Sequence, residues 1–88
     1  MISNSFTITT TRQVVVPAAP SARTIYFHVL GNGIIYLGGS DVTSANGMNT
    51  EKGAVPFEFF LPPNETIYAV TSTDTETLRV LRPSKDGN

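Results

Sequence analysis

The chain contains no cysteine, no tryptophan and a single histidine, and charged residues occupy only 15% of its 88 positions. Each shortage excludes something. Without cysteine there is no disulfide staple, no thiol nucleophile and no thiolate zinc site. The one histidine, His28, sits between Phe27 and Val29 in the most strand-like run of the chain. A general base needs a nucleophile and an orienting partner within reach, and nothing nominates either, so no enzyme is expected. His28 reads instead as a residue at a core edge or a subunit interface, where its protonation near about pH 6.5 would modulate assembly. Six basic and seven acidic residues leave a formal net charge of −1. The cations Arg12, Arg23, Lys52, Arg79, Arg82 and Lys85 are scattered and form no stripe, so neither nucleic acid nor an anionic membrane is an expected partner. No apolar run approaches the ~20 residues that span a bilayer. Residues 1–6 lack the basic and apolar regions of a signal peptide, so synthesis in a cytoplasm is expected.

Charged residues make up about 25% of an ordinary soluble domain. Here Thr, Ser, Asn and Gly take their place, giving a neutral, hydroxyl-rich surface suited to lasting contact with another protein. A chain of this length forms one domain and buries about 60–65% of its unfolded surface, which limits its stability.

The most informative stretch is Ile34-Ile35-Tyr36-Leu37-Gly38-Gly39-Ser40-Asp41-Val42-Thr43-Ser44-Ala45-Asn46-Gly47. A β-branched run stops at a glycine pair, and a polar loop leads to an Asn-Gly turn. Phe6-Thr7-Ile8-Thr9 alternates apolar and polar residues, and Val14-Val15-Val16 is cut off by Pro17. Pro17-Ala18-Ala19-Pro20 favours a stiff extended connector. Thr24-Ile25-Tyr26-Phe27-His28-Val29-Leu30 is β-branched and aromatic. Gly31-Asn32-Gly33 suits a tight hairpin into Ile34. Residues 38–53 read as a loop, followed by Val55-Pro56-Phe57-Glu58-Phe59-Phe60-Leu61. Pro56 marks an edge strand or a strand beginning just after it. Thr66-Ile67-Tyr68-Ala69-Val70-Thr71 and Leu78-Arg79-Val80-Leu81-Arg82 complete the set. No window shows a helical period. The expected fold is all-β, a small sandwich or barrel of about six or seven short antiparallel strands.

Residues 1–20 read as an extended segment with a Pro-Ala linker, residues 21–83 as the β domain, and residues 84–88 as a flexible tail. The first segment is either an arm that adds a strand to a neighbour, with Phe6 and Ile8 as its anchors, or a strand of its own sheet.

Other chemistry is sparse. Asp41, Asn46, Asn49 and Glu51 do not match the ligand spacing of a calcium loop, and Asp41 and Asn46 suit turns. Gly38-Gly39-Ser40 lacks the lysine of a phosphate loop. No metal or other cofactor is expected. Asn64-Glu65-Thr66 matches a glycosylation acceptor, a short pattern that also arises by chance. Tyr26, Tyr36 and Tyr68 lack interleaved cations and read as core or interface rings.

The segment from Ile35 to Gly47, then Gly53, then Ile67-Tyr68-Ala69-Val70-Thr71 and Leu78-Arg79-Val80-Leu81, resembles small virion proteins of tailed bacteriophages, of the head-decoration or accessory type. The likeness covers residues 22–81, and its most specific piece is Tyr36-Leu37-Gly38-Gly39-Ser40-Asp41-Val42-Thr43. It departs at Met48-Asn49, where a bulkier apolar residue is expected. The resemblance implies a non-enzymatic structural protein of the virion, a capsid decoration or cement protein bound to the major capsid protein. Tail, baseplate or fibre association is the alternative, and a host-glycan-binding module built on exposed tyrosines and Asp41 is a third. Phe6, Ile8, Tyr36, Asp41 and Tyr68 are the expected interface residues, in a homo-oligomer for which a trimer is one option.

Overall fold

The computed structural model describes residues 2–31, 33–51 and 57–83. Among them are eight strands and no helix: β1 (Ile2–Ile8), β2 (Gln13–Val16), β3 (Arg23–Val29), β4 (Ile34–Gly38), β5 (Met48–Glu51), β6 (Phe57–Leu61), β7 (Ile67–Val70) and β8 (Glu76–Arg82). They form two antiparallel four-stranded sheets: sheet A in the order β1-β8-β3-β6, and sheet B in the order β2-β7-β4-β5. The pairs β1·β8, β2·β7, β3·β6 and β4·β5 are the rungs of one long antiparallel ribbon turning back between β4 and β5. Alternate rungs go to opposite sheets, and β3·β8 and β4·β7 join the rungs within each sheet. That is the jelly-roll arrangement of a β-sandwich.

Period-2 patterning builds the core. In β3, Ile25, Phe27 and Val29 are buried while Thr24, Tyr26 and His28 point outward. Their inward neighbours are Leu78 and Val80 of β8 and, from sheet B, Ile35, Leu37 and Ala69. Each large apolar side chain so buried contributes about 1.5–3 kcal/mol relative to exposure. β2 departs from strict alternation. A register shift between Val14 and Val16 turns Val15 and Val16 both inward and leaves Val14 exposed, which is how a bulge re-aims a side chain.

One open choice is decided and three expectations are corrected. The first twenty residues are not a detached arm, since β1 pairs with β8 from Ile2↔Arg82 to Ile8↔Glu76 and β2 pairs with β7. The Pro-Ala connector is pinned as well: Ala19 is buried and its carbonyl accepts a bond from the Asn64 amide (2.7 Å), while Arg23 Nη2 donates to the Pro17 carbonyl (3.0 Å). Gly31 and Gly33 do not close a hairpin, because β3 and β4 lie in different sheets. The Glu76 carboxylate instead lies against both glycines, in the space a Cβ would take. Residues 38–53 are not all loop. Met48–Glu51 has no apolar alternation, yet it pairs with β4 as strand β5, its neighbour overriding weak propensity. Eight strands replace the expected six or seven, and two separate sheets settle the choice against a barrel. β6 begins at Phe57 and is a sheet edge, as the proline before it indicated. Residues 84–88, Asn32, Gly53 and Pro56 lie outside the described residues.

Candidate interaction surfaces

No described loop crosses the outer face of sheet A. Register places Ser3, Leu81, Tyr26 and Glu58 in one row across its four strands, with Ser5, Arg79 and His28 in the row beside it. Thr24 and Phe60 pair on the other side of the first row. Phe60 is 64% exposed, the most exposed of the large apolar side chains among the described residues, and Leu81 is 36% exposed. Phe60 is diagonal to Tyr26, and Leu81 directly opposes Tyr26, distances at which large side chains touch. The Glu58 carboxylate accepts a hydrogen bond from the Tyr26 hydroxyl, and this bond, the carboxylate charge and slight desolvation raise the phenol above its ordinary pKa. A shallow depression of about 370 Å³ runs along this face between Ser3, Tyr26, His28 and Arg79. The result is a flat surface of apolar and aromatic groups with a few charges.

The outer face of sheet B is covered at one end. Tyr36 and Val70 are register partners and share that face, with Tyr68 and Gly38 one step along. The 39–47 loop folds over them. Val42, at its centre, is 2% exposed, and Val70 is 5% exposed. The loop approaches so closely that a Cβ on Gly38 would lie 2.8 Å from Val42 Cγ2, and one on Gly47 would lie 2.7 Å from Tyr36 Cβ. Asn46 holds the loop shape: its Oδ1 accepts from the Thr43 amide (2.7 Å) and its Nδ2 donates to the Asp41 carbonyl (3.2 Å). The Gly47 amide donates to the Thr43 carbonyl (2.9 Å), and the Val42 amide to the Gly39 carbonyl (3.1 Å).

Ile8 is fully buried, and Phe6 is partly buried against the same core, so both belong to the fold rather than to an arm's contact surface. Tyr36, Tyr68 and Asp41 are brought to one side of the molecule, the tyrosines half-buried on sheet B and Asp41 exposed on the loop above. A concavity of about 620 Å³ is lined by Thr10, Thr11, Thr43, Ser44, Thr71 and Ser72 together with Arg12, Val42 and Val70. An apolar cleft of about 380 Å³ lies between the sheets, with Phe27, Leu37, Met48, Phe59 and Ile67 on its walls.

Phe60 and Leu81 were not among the residues expected at an interface, and Tyr26 was expected only as a core or interface ring. A signal for Phe60 was present. Glu58 marks the solvent-facing parity of Phe57-Glu58-Phe59-Phe60-Leu61, and Phe60 shares that parity. Among the described residues no three His, Cys, Asp or Glu side chains come together as metal ligands, and no helix is long and apolar enough to cross a membrane. No family model, curated protein or solved structure matches this chain.

Proposed function

We propose that this chain is a non-enzymatic structural protein of a tailed-phage virion, a decoration or cement protein that attaches to the outer surface of the head. The virion assignment rests on the resemblance of residues 35–47, 67–71 and 78–81. The observation that carries attachment is the outer face of sheet A, with Phe60, Leu81 and Tyr26 clustered on a domain of low charge. Exposed apolar groups clustered on a small domain mark a contact surface, and aromatic rings anchor such contacts. The jelly roll is compatible with this role because viral capsid domains use it, but lectins and cupins use it too, so the fold does not select the function. Many copies bound across a symmetric shell would make a modest individual contact effective.

The test adds purified protein to tail-less, DNA-filled heads that lack it. Bound copies per head and the temperature of DNA release are then measured. Saturation at a copy number commensurate with the shell lattice, with a raised release temperature, is the expected result. Phe60→Ser is expected to abolish binding. Heads that take up no protein would sink the cement reading, and binding to purified tails instead would move the chain to the tail.

The hydroxyl-lined cleft between Thr10–Arg12, the 39–47 loop and Ser72 favours one second reading, a module that binds a host glycan there. A glycan array separates it from the first, since retention by an oligosaccharide would be lost in Arg12→Ala and unaffected by Phe60→Ser.

A further inference from the structure

We propose that the outer edge of β1 pairs with the β1 of a second copy, making a two-fold dimer in which sheet A runs continuously through both molecules. A sheet edge is a template for another strand unless something blunts it. Three of the four edges here are blunted. β2 has four residues, a register shift and Pro17 directly after it. β5 has four residues and ends in Glu51. β6 carries Glu58 and is followed by Pro62. β1 has seven residues and contains no charge and no proline, and its register with β8 is unbroken.

The direction of the free backbone groups follows from the ladder. The Leu30 amide donates to the Thr77 carbonyl (3.1 Å), so Thr77, and with it Arg79 and Leu81, directs its backbone groups toward β3. Hydrogen-bonded pairs alternate along an antiparallel ladder. Leu78, Val80 and Arg82 therefore bond toward β1, through Phe6, Asn4 and Ile2. The amides and carbonyls of Ser3, Ser5 and Thr7 are left facing the open edge, and their side chains lie on the outer face of sheet A.

The strand is complementary to itself in that register. With Ser5 on the two-fold axis, Ser5 faces the Ser5 of the other copy, and Ser3 faces its Thr7. Each of these pairs can exchange both backbone bonds, and all their side chains are hydroxyls, a favourable cross-strand combination. No like charges meet. On the inner face Asn4 comes opposite the half-buried Phe6 of the other copy and adds cover to it. An antiparallel pair of identical strands is isologous and closes at two copies, so this edge makes a dimer rather than a trimer. The two outer faces of sheet A then point the same way, with their Phe60 side chains seven strand spacings of ~4.8 Å apart across the sheet and about eight residues apart along it, roughly 40 Å in all. This inference stands on β1 alone and does not depend on the proposed function.

Sedimentation equilibrium of the full chain over a concentration series should show the mass rising toward twice the 9.5 kDa chain. Ser5→Lys sets two ammonium groups face to face while keeping the backbone bonds of the β1·β8 ladder, which Asn4 and Phe6 make. Its side chain also comes opposite Arg79, so the dimer should weaken at least tenfold, and an unchanged circular dichroism spectrum shows that the fold is kept. The chain has no cysteine, so crosslinking reads the register directly. Ser5→Cys should form a disulfide-linked dimer on mild oxidation, because paired Cα atoms about 5.5 Å apart are within disulfide reach. Arg79→Cys, one strand inward, should not, and a mixture of Ser3→Cys and Thr7→Cys chains should link only to each other. A chain that stays at single mass throughout overturns the proposal. So does a dimer that Ser5→Lys leaves intact, or one that Phe60→Ser dissociates, either of which would put the contact on another surface.

Discussion

The outer faces of the two sheets began with similar material and came to different ends. Each carries tyrosine and aliphatic residues at outward positions: Tyr26, Phe60 and Leu81 on sheet A; Tyr36, Tyr68, Val14 and Val70 on sheet B. On sheet B the nine-residue loop 39–47 brings its own apolar residue, Val42, down over Gly38 and beside Gly47, and Val70 is lost from the surface. On sheet A no described loop does this, and Phe60 stays in solvent. The lesson is that an apolar residue on a solvent-facing strand position becomes core or contact surface according to whether a nearby loop can reach it. Covering costs loop order, and here Asn46, Thr43 and two glycines supply that order.

Several substitutions would break or sharpen this contrast. The largest effect is expected from Gly47→Val, whose side chain would meet Tyr36 Cβ, Val42 Cγ2 and the Thr43 carbonyl within 3.0 Å. Overpacking of this kind costs up to about 3 kcal/mol. The loop should lift, so urea denaturation should shift to lower concentration and a dye that binds apolar surface should bind the native protein more strongly. Val42→Ala removes two buried carbons and should cost about 2 kcal/mol in the same denaturation experiment. Asn46→Ala leaves the Thr43 amide without its side-chain acceptor and should cost about 1 kcal/mol, less than Val42→Ala because that loop surface is exposed to water. Phe60→Ser should change stability by less than about 0.5 kcal/mol, since the ring is already in solvent. A large loss of stability in that variant would show that Phe60 is packed, contrary to the contrast drawn here.

The smallest effect concerns Tyr26. Its phenol keeps its proton to higher pH in the folded chain because Glu58 accepts its hydrogen bond. Whatever stability this adds is present below the ordinary tyrosine range and is lost as pH rises through the raised value. Ultraviolet titration should therefore show a tyrosine component ionising above the ordinary tyrosine range, and Glu58→Gln should lower it. A titration that Glu58→Gln leaves unchanged would refute the contact.

Much of the framework was legible before the structure. Thr24-Ile25-Tyr26-Phe27-His28-Val29 announces a strand because β-branched and aromatic residues crowd a helix and suit a pleat. Pro56 announced an edge because proline cannot donate to a ladder. The loop chemistry of Asn46 was legible too, since such a side chain satisfies nearby backbone, here the Thr43 amide and the Asp41 carbonyl. The gathering of Tyr36, Tyr68 and Asp41 on one side was expected only as a list of residues, and the contact role of Phe60 was overlooked. Met48–Glu51 escaped notice because nothing in Met-Asn-Thr-Glu favours a strand, and β4 beside it decides its state.

The amino-acid sequence by itself determined that this is an all-β chain with most of these strand positions, no long-range charge and a core built from alternate residues. Those properties are local: side-chain parity, ring constraint and composition act over a few residues. Only the tertiary structure decided that residues 1–20 belong to the sandwich, that β3 and β4 part into different sheets, and that Val42 is buried while Phe60 is not. Those outcomes depend on which distant strands meet. A strand such as β1 carries the hydrogen-bonding capacity to pair with many partners, and the choice of β8 is made by the fit of the whole core across the 67 residues of intervening chain.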